Sequence, residues 1–168
     1  MSRNEDTVRS IRHRVEESSE IVEKLVETIT IKYSRELDTE VSNIKALLDK
    51  KDILSDTEIE HLVMRLPVFM YYASGGLESL GVESDMAKAV KLEVYNEKYV
   101  LTEGTIKDKQ ALVENQIINE QLVEVAFVRA YKKMKTKIDM AEHIFSGAKK
   151  VLSKRMQDID LVRVDKYS

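Results

Sequence analysis

The chain has 168 residues, of which 34% are charged and 43% hydrophobic, with no cysteine and no tryptophan; that suits one domain of ordinary size and excludes disulfides, thiolate chemistry and cysteine-bound zinc. No apolar run approaches the roughly 20 residues that span a bilayer, and the first ten residues lack the apolar core of a secretory signal. No membrane partner and a cytoplasmic location are therefore expected. The net charge of −3 hides a split: residues 1–128 carry 16 Lys and Arg against 25 Asp and Glu, while residues 129–168 carry 11 against 5. A net-acidic chain can still turn a basic end toward a polyanion.

With one proline and five glycines, the pattern predicts an all-α protein: an elongated helical bundle or hairpin with a long, coiled-coil-like C-terminal helix. It reads as a single helical domain over residues 1–168. Residues 1–50 form an amphipathic helix carrying Val8, Ile11, Val15, Val22, Leu25 and Ile29 at spacings of three and four. Ser18 and Ser19 interrupt that seam. Residues 28–33, TITIKY, alternate like a strand and are rich in β-branched side chains, so helix and strand both stand as readings there.

Ser55-Asp56-Thr57-Glu58 is a capping box that starts the next helix. Residues 66–76, LPVFMYYASGG, hold the only proline and place Tyr71 and Tyr72 side by side. Pro67 predicts a kink or an early helix end near Arg65 and Leu66. Gly75, Gly76 and Gly81 predict a corner, and Ser84 or Asp85 a fresh helix start. Residues 55–104 are thus read as two helices around a glycine corner. Thr105, with Asp108 three residues on, opens the last segment, 105–160, where Gly147 is a possible bend. Apolar positions there follow heptad spacing, and Phe127, Tyr131, Met134, Ile138, Phe145 and Leu152 are the candidates for self-association into a homo-oligomer. Folding back on the first helix is the monomeric alternative.

Catalytic patterns fail on inspection. Gly76 to Glu83 has the glycine spacing of a phosphate loop, but Val82 stands in place of its lysine. Glu58 and His61 have the spacing of a helical di-iron ligand pair, without the second copy such a site needs. No enzyme, metal or cofactor is expected.

Two basic features point to nucleic acid. Lys88, Lys91, Tyr95 and Lys98 recur at i, i+3, i+7 and i+10, with Tyr99 alongside. They form a stripe about 120° from Ala87, Val90, Val94 and Leu101. If the valine face takes the core, ammonium groups and a ring remain outside to meet phosphates and stack bases of a single strand. The competing reading has the tyrosines padding the core edge beside ordinary solvated lysines. Residues 129–137, RAYKKMKTK, add Arg129, Lys132, Lys133 and Lys137 in a run with no acid between Glu124 and Asp139. That run reads as a phosphate track or as a solubilising helix back. Arg9, Arg12, His13 and Arg14 are balanced by Glu16, Glu17 and Glu20 and are set aside.

The order of features resembles the UvsY family of phage recombination mediators. That pattern, a helix ending in Tyr-Tyr-Ser-Gly, a variable stretch with basic residues and a long final helix, has its counterpart in Tyr71-Tyr72-Ala73-Ser74-Gly75 and the segment from Thr105 onward. The chain departs from it just before the tyrosines, where Arg65 alone stands for a basic cluster. The resemblance implies a helical, ring-forming protein without enzymatic activity, acting in DNA recombination and repair in the host-cell cytoplasm. It would bind single-stranded DNA and help load a recombinase onto strands covered by single-strand-binding protein. One ring of the Tyr71/Tyr72 pair would be packed and the other available. The alternative is a phage structural or regulatory coiled-coil protein that binds another protein.

Overall fold

The computed structural model describes residues 2–50 and 53–165, with side chains placed for residues 8–50 and 53–159. Among the described residues every regular element is a helix: α1 (Ser2–Lys50), α2 (Asp56–Leu101), α3 (Ile106–Gln116) and α4 (Ile118–Asp165). The all-α class expected from the spacing is what the chain adopts.

Helix wins over strand at residues 28–33. Alternation would put Ile29, Ile31 and Tyr33 on one buried face, yet Ile31 is 48% exposed while Thr30 is buried. The burial runs Val22, Val26, Thr30, Ser34, Leu37, Ile44, which is helical. The hydroxyls that would favour other conformations are absorbed by the helix itself. Thr30 Oγ1 donates to the Val26 carbonyl at 2.6 Å, and Thr28 Oγ1 to the Lys24 carbonyl at 2.9 Å.

The expected corner in residues 55–104 is absent: α2 runs unbroken through Pro67, Gly75, Gly76 and Gly81, and Ser84 and Asp85 lie in mid-helix rather than at a cap. Pro67 removes one backbone donor, but burial at Ile59, Leu62, Leu66, Ala73 and Leu80 holds the helix on either side of it. The glycines answer a different need, since none of the three has a positive φ. A Cβ on Gly76 would lie 2.9 Å from Tyr33 Cβ, so α1 and α2 approach too closely there for any side chain. A Cβ on Gly81 would meet the Tyr131 ring at 3.4 Å. Gly147 likewise passes inside α4 without a break.

The glycine that does turn the chain is Gly104, at φ +124. Beside it, Thr105 caps α3: its Oγ1 accepts from the Asp108 amide at 3.4 Å and donates to Asp108 Oδ2 at 2.6 Å. The Ser55–Glu58 box also forms as expected, with Ser55 N–H donating to Glu58 Oε2 at 2.9 Å and Glu58 N–H to Ser55 Oγ at 3.3 Å. Replacing Thr105 by Ala should cost about 1 kcal/mol, the usual loss of an N-cap, measured as a shift in the denaturation midpoint.

The last segment is two helices rather than one. Ile117 adopts φ −108, ψ 19, yet its N–H still donates to the Val113 carbonyl at 3.1 Å and its carbonyl accepts from Gln121 at 3.0 Å. The break therefore costs little hydrogen bonding, and both Val113 and Ile117 are buried. Beyond it the seam turns inward: Ala126, Ala130, Met134 and Ala141 are enclosed by their own chain. Met134, at 0% exposure, is thus withdrawn from the self-association candidates. Phe127, Ile138, Phe145 and Leu152 are half-buried and Tyr131 lies at the margin of exposure.

Contacts group into two compact units. The first comprises Met1–Lys32 and Glu78–Lys133, the second Tyr33–Leu77 and Met134–Ser168. Within the first, the core is Val22, Val26, Thr30, Leu80, Val113, Ile117, Ala126 and Ala130. Within the second, Leu37, Ile44, Ile59, Leu66, Met134 and Ala141 pack with two buried polar residues, Ser34 and Glu40, that each find a partner. Glu40, nearly enclosed, accepts from Arg65 Nη2 at 2.9 Å. Ser34 donates to Asp38 Oδ2 at 2.7 Å, and Lys137 binds both Asp38 and, at 3.0 Å, Ser34 Oγ. Arg155 reaches the Leu54 carbonyl and Asp56 Oδ1, each at 2.7 Å, tying α4 to the start of α2.

Candidate nucleic-acid interface

The stripe on α2 faces the other way from the sequence expectation. Val90, Val100 and Leu101 are exposed, the last at 82%, while Lys91, Tyr95, Lys98 and Tyr99 are half-buried. Lys91 Nζ lies 2.5 Å from Glu124 Oε2, both side chains mostly enclosed. Lys98 Nζ donates to the Gln116 carbonyl at 2.6 Å, at the C-terminal end of α3, where a cation is favoured. Tyr95 stacks on Tyr99, centroids 5.9 Å apart and planes 18° from parallel, and Lys109 sits 5.6 Å from the Tyr99 centroid. Lysine stems lie readily along apolar surface when their heads find partners. Lys91, Lys98 and Tyr95 are consequently parts of the packing. Lys88 is exposed.

The run on α4 divides. Lys137 is engaged by Asp38 and Ser34 in the second unit. Arg129, Lys132 and Lys133 are exposed in the first, and their spacing of three and four residues puts them on one helical face.

Arg129 also borders a groove of about 440 Å³ between α1 and α4, wholly within the first unit. Its α1 wall presents Ile11, Arg14, Val15, Ser18 and Ser19, and its α4 wall Leu122, Val125 and Arg129. Ile11 and Val15 are exposed. No carboxylate among the described residues lines it. Among the described residues neither Arg14 nor Arg129 takes part in an ion pair, whereas the neighbouring Arg12 is paired with Glu16 at 3.0 Å and His13 Nδ1 lies 3.4 Å from Glu17 Oε2. Glu20, the next acid on α1, is bonded by Lys24 at 2.6 Å. That hydrogen bond and the ammonium charge hold its carboxyl below the usual range.

Sequence reasoning missed Arg14, Ser18 and Ser19 as a site. The signal was the pair of serines in an otherwise apolar seam: the groove opens where α1 lacks side chains large enough to fill it. Two guanidiniums, two hydroxyls and an aliphatic floor can bind a phosphate and rest an apolar or flat group beside it. Among the described residues no group of three or more His, Cys, Asp or Glu could hold a metal ion, and no helix is long and apolar enough to cross a membrane.

Tyr71 and Tyr72, in the second unit, are both exposed, at 76% and 63%, and meet edge to face with centroids 5.7 Å apart. The expectation of one packed and one free ring is thereby corrected: positions about 100° apart both lie on the outer side of α2 because Leu66 and Ala73 take the inner one. Arg65 is held by Glu40 and lies 5.8 Å from the Phe69 centroid. Comparison with family models, curated proteins and solved structures gave no match to this chain.

Proposed function

We propose that the protein is a non-enzymatic single-stranded-DNA-binding protein that acts as a recombination mediator, helping to load a recombinase onto DNA. The observation that carries DNA binding is the acid-free groove between Arg14 and Arg129, continued one turn along α4 by Lys132 and Lys133. Cations along a shallow groove follow a phosphate backbone, and an aliphatic wall accepts unpaired bases, which favours single strands over duplex. The mediator role, with its recombinase and single-strand-binding-protein partners, rests on the resemblance carried by Tyr71-Tyr72-Ala73-Ser74-Gly75 and the long final segment. Weak individual sites would gain from several linked copies. Phe127, Tyr131, Ile138, Phe145 and Leu152, which keep some exposed surface, are the candidates left for such contacts.

Fluorescence anisotropy with labelled oligo-dT across a salt series tests the groove. Each phosphate contact contributes a slope of about −0.7 in log K against log salt. The double change Arg14→Ala with Arg129→Ala should flatten the slope by about 1.4 and weaken binding. Lys91→Ala with Lys98→Ala should leave the slope unchanged, because those heads are already bound to protein. Wild-type slope in the arginine variant, or flattening in the lysine variant, overturns the assignment. A second reading, a structural or regulatory protein that binds another protein, is favoured by a separate groove whose walls are mostly apolar.

A further inference from the structure

We propose that the groove between α2 and α4 in the first unit docks an amphipathic helix of another protein, one that carries a lysine or arginine among aliphatic residues. This inference deepens the protein-binding reading and does not depend on DNA binding. Val82, Met86 and Val90, at successive turns of α2, are all exposed on one edge; Val123 and Phe127, one turn apart on α4, form the other. The space between them is about 570 Å³, and aliphatic side chains at helical spacing are what a helix-in-groove partner inserts there.

The charge of the groove specifies the partner further. Among the described residues two carboxylates line it, Glu83 and Glu120, and no cation does. Glu83 already holds Lys32 at 2.9 Å, and Glu124, one turn beyond Glu120, is taken by Lys91. Glu120 is different: its Oε2 is shut off from solvent with no donor in reach, the one buried side-chain oxygen or nitrogen so placed among the described residues. A half-buried carboxylate without a paired cation beside aliphatic side chains is complementary to a lysine or arginine carried among the aliphatic residues of a partner. A nucleic-acid ligand is disfavoured here, since both charged groups that line the groove are acids.

The test uses the full chain and a phage-displayed library of helical peptides, followed by anisotropy with a labelled synthetic copy of the selected peptide. Selection should enrich aliphatic residues at i, i+3 or i+4, and i+7 with a lysine or arginine between them. Changing that cation to Glu should weaken binding about tenfold or more, and Glu120→Lys should restore the Glu peptide while losing the original. Met86→Glu should abolish binding; because Met86 is exposed, circular dichroism should report an intact fold, and oligo-dT binding should persist. The proposal is overturned by peptides without a preferred cation, by peptides that ignore Met86→Glu, or by failure to select any. A homodimer that Met86→Glu splits also overturns it, by giving the groove to a second copy. Loss of oligo-dT binding in the Arg14 and Arg129 variants bears only on the DNA site.

Discussion

Leu66→Ala should destabilise the protein by about 2–5 kcal/mol, the cost of removing a buried leucine and leaving an incompletely collapsed cavity. The side chain has 0% exposure and stands beside Pro67, where the helix already lacks one backbone hydrogen bond. Continuity of α2 at this point therefore depends on packing more than elsewhere. Against a total stability of roughly 5–15 kcal/mol for a typical domain, this loss is a large share. Met64→Ala, two residues earlier on the exposed side, should stay within about 0.5 kcal/mol. Denaturant titration of the second-unit variants measures both as midpoint shifts at constant slope. Equal losses at the two positions would mean that α2 turns a different face to its neighbours.

The contrast between those positions shows what was legible in the sequence. Spacings of three and four announced helices, and the two caps could be read because their donors and acceptors lie three residues apart, at Ser55/Glu58 and Thr105/Asp108. Pro67, Gly75, Gly76 and Gly81 were misread as breakers because their meaning depends on residues remote in sequence. Gly76 is set by Tyr33 and Gly81 by Tyr131. A breaker's intrinsic cost is local, but the packing that outweighs it is not.

The same distinction separates the site residues. Arg129, Lys132 and Lys133, candidates from their spacing, are exposed. Lys91, Lys98 and Lys137 were misassigned because their partners arrive from 33, 18 and 99 residues away. Apolar side chains are spread round most of α2, so periodicity alone leaves two flanks open for the core. Arg14 was hidden by the acids near it, which are spent on Arg12 and His13. Net charge in a window says little about which cation is left to bind a ligand.

Adjacent glycines in α2 should respond to the same substitution with opposite signs. Gly75→Ala should stabilise by up to about 1 kcal/mol, since a helix-interior glycine gives up that much to alanine and a Cβ there meets nothing within 4 Å. At Gly76 the same gain is opposed by a Cβ placed 2.9 Å from Tyr33 Cβ and 3.1 Å from its Cδ1. Tyr33 Cβ is attached directly to the α1 backbone, so no side-chain rotation relieves the overlap; one helix has to move. Overpacking of this kind costs about 1–3 kcal/mol, making Gly76→Ala net destabilising and Gly76→Val more so. Gly81→Ala should fall between them, because its contact at 3.4 Å is with the far edge of the Tyr131 ring, which can tilt. Chemical denaturation of the three alanine variants should rank them Gly75, Gly81, Gly76 from most to least stable. If Gly76→Ala matched Gly75→Ala, α1 and α2 would not be in close approach at Tyr33, and the inward face assigned to α2 would be wrong.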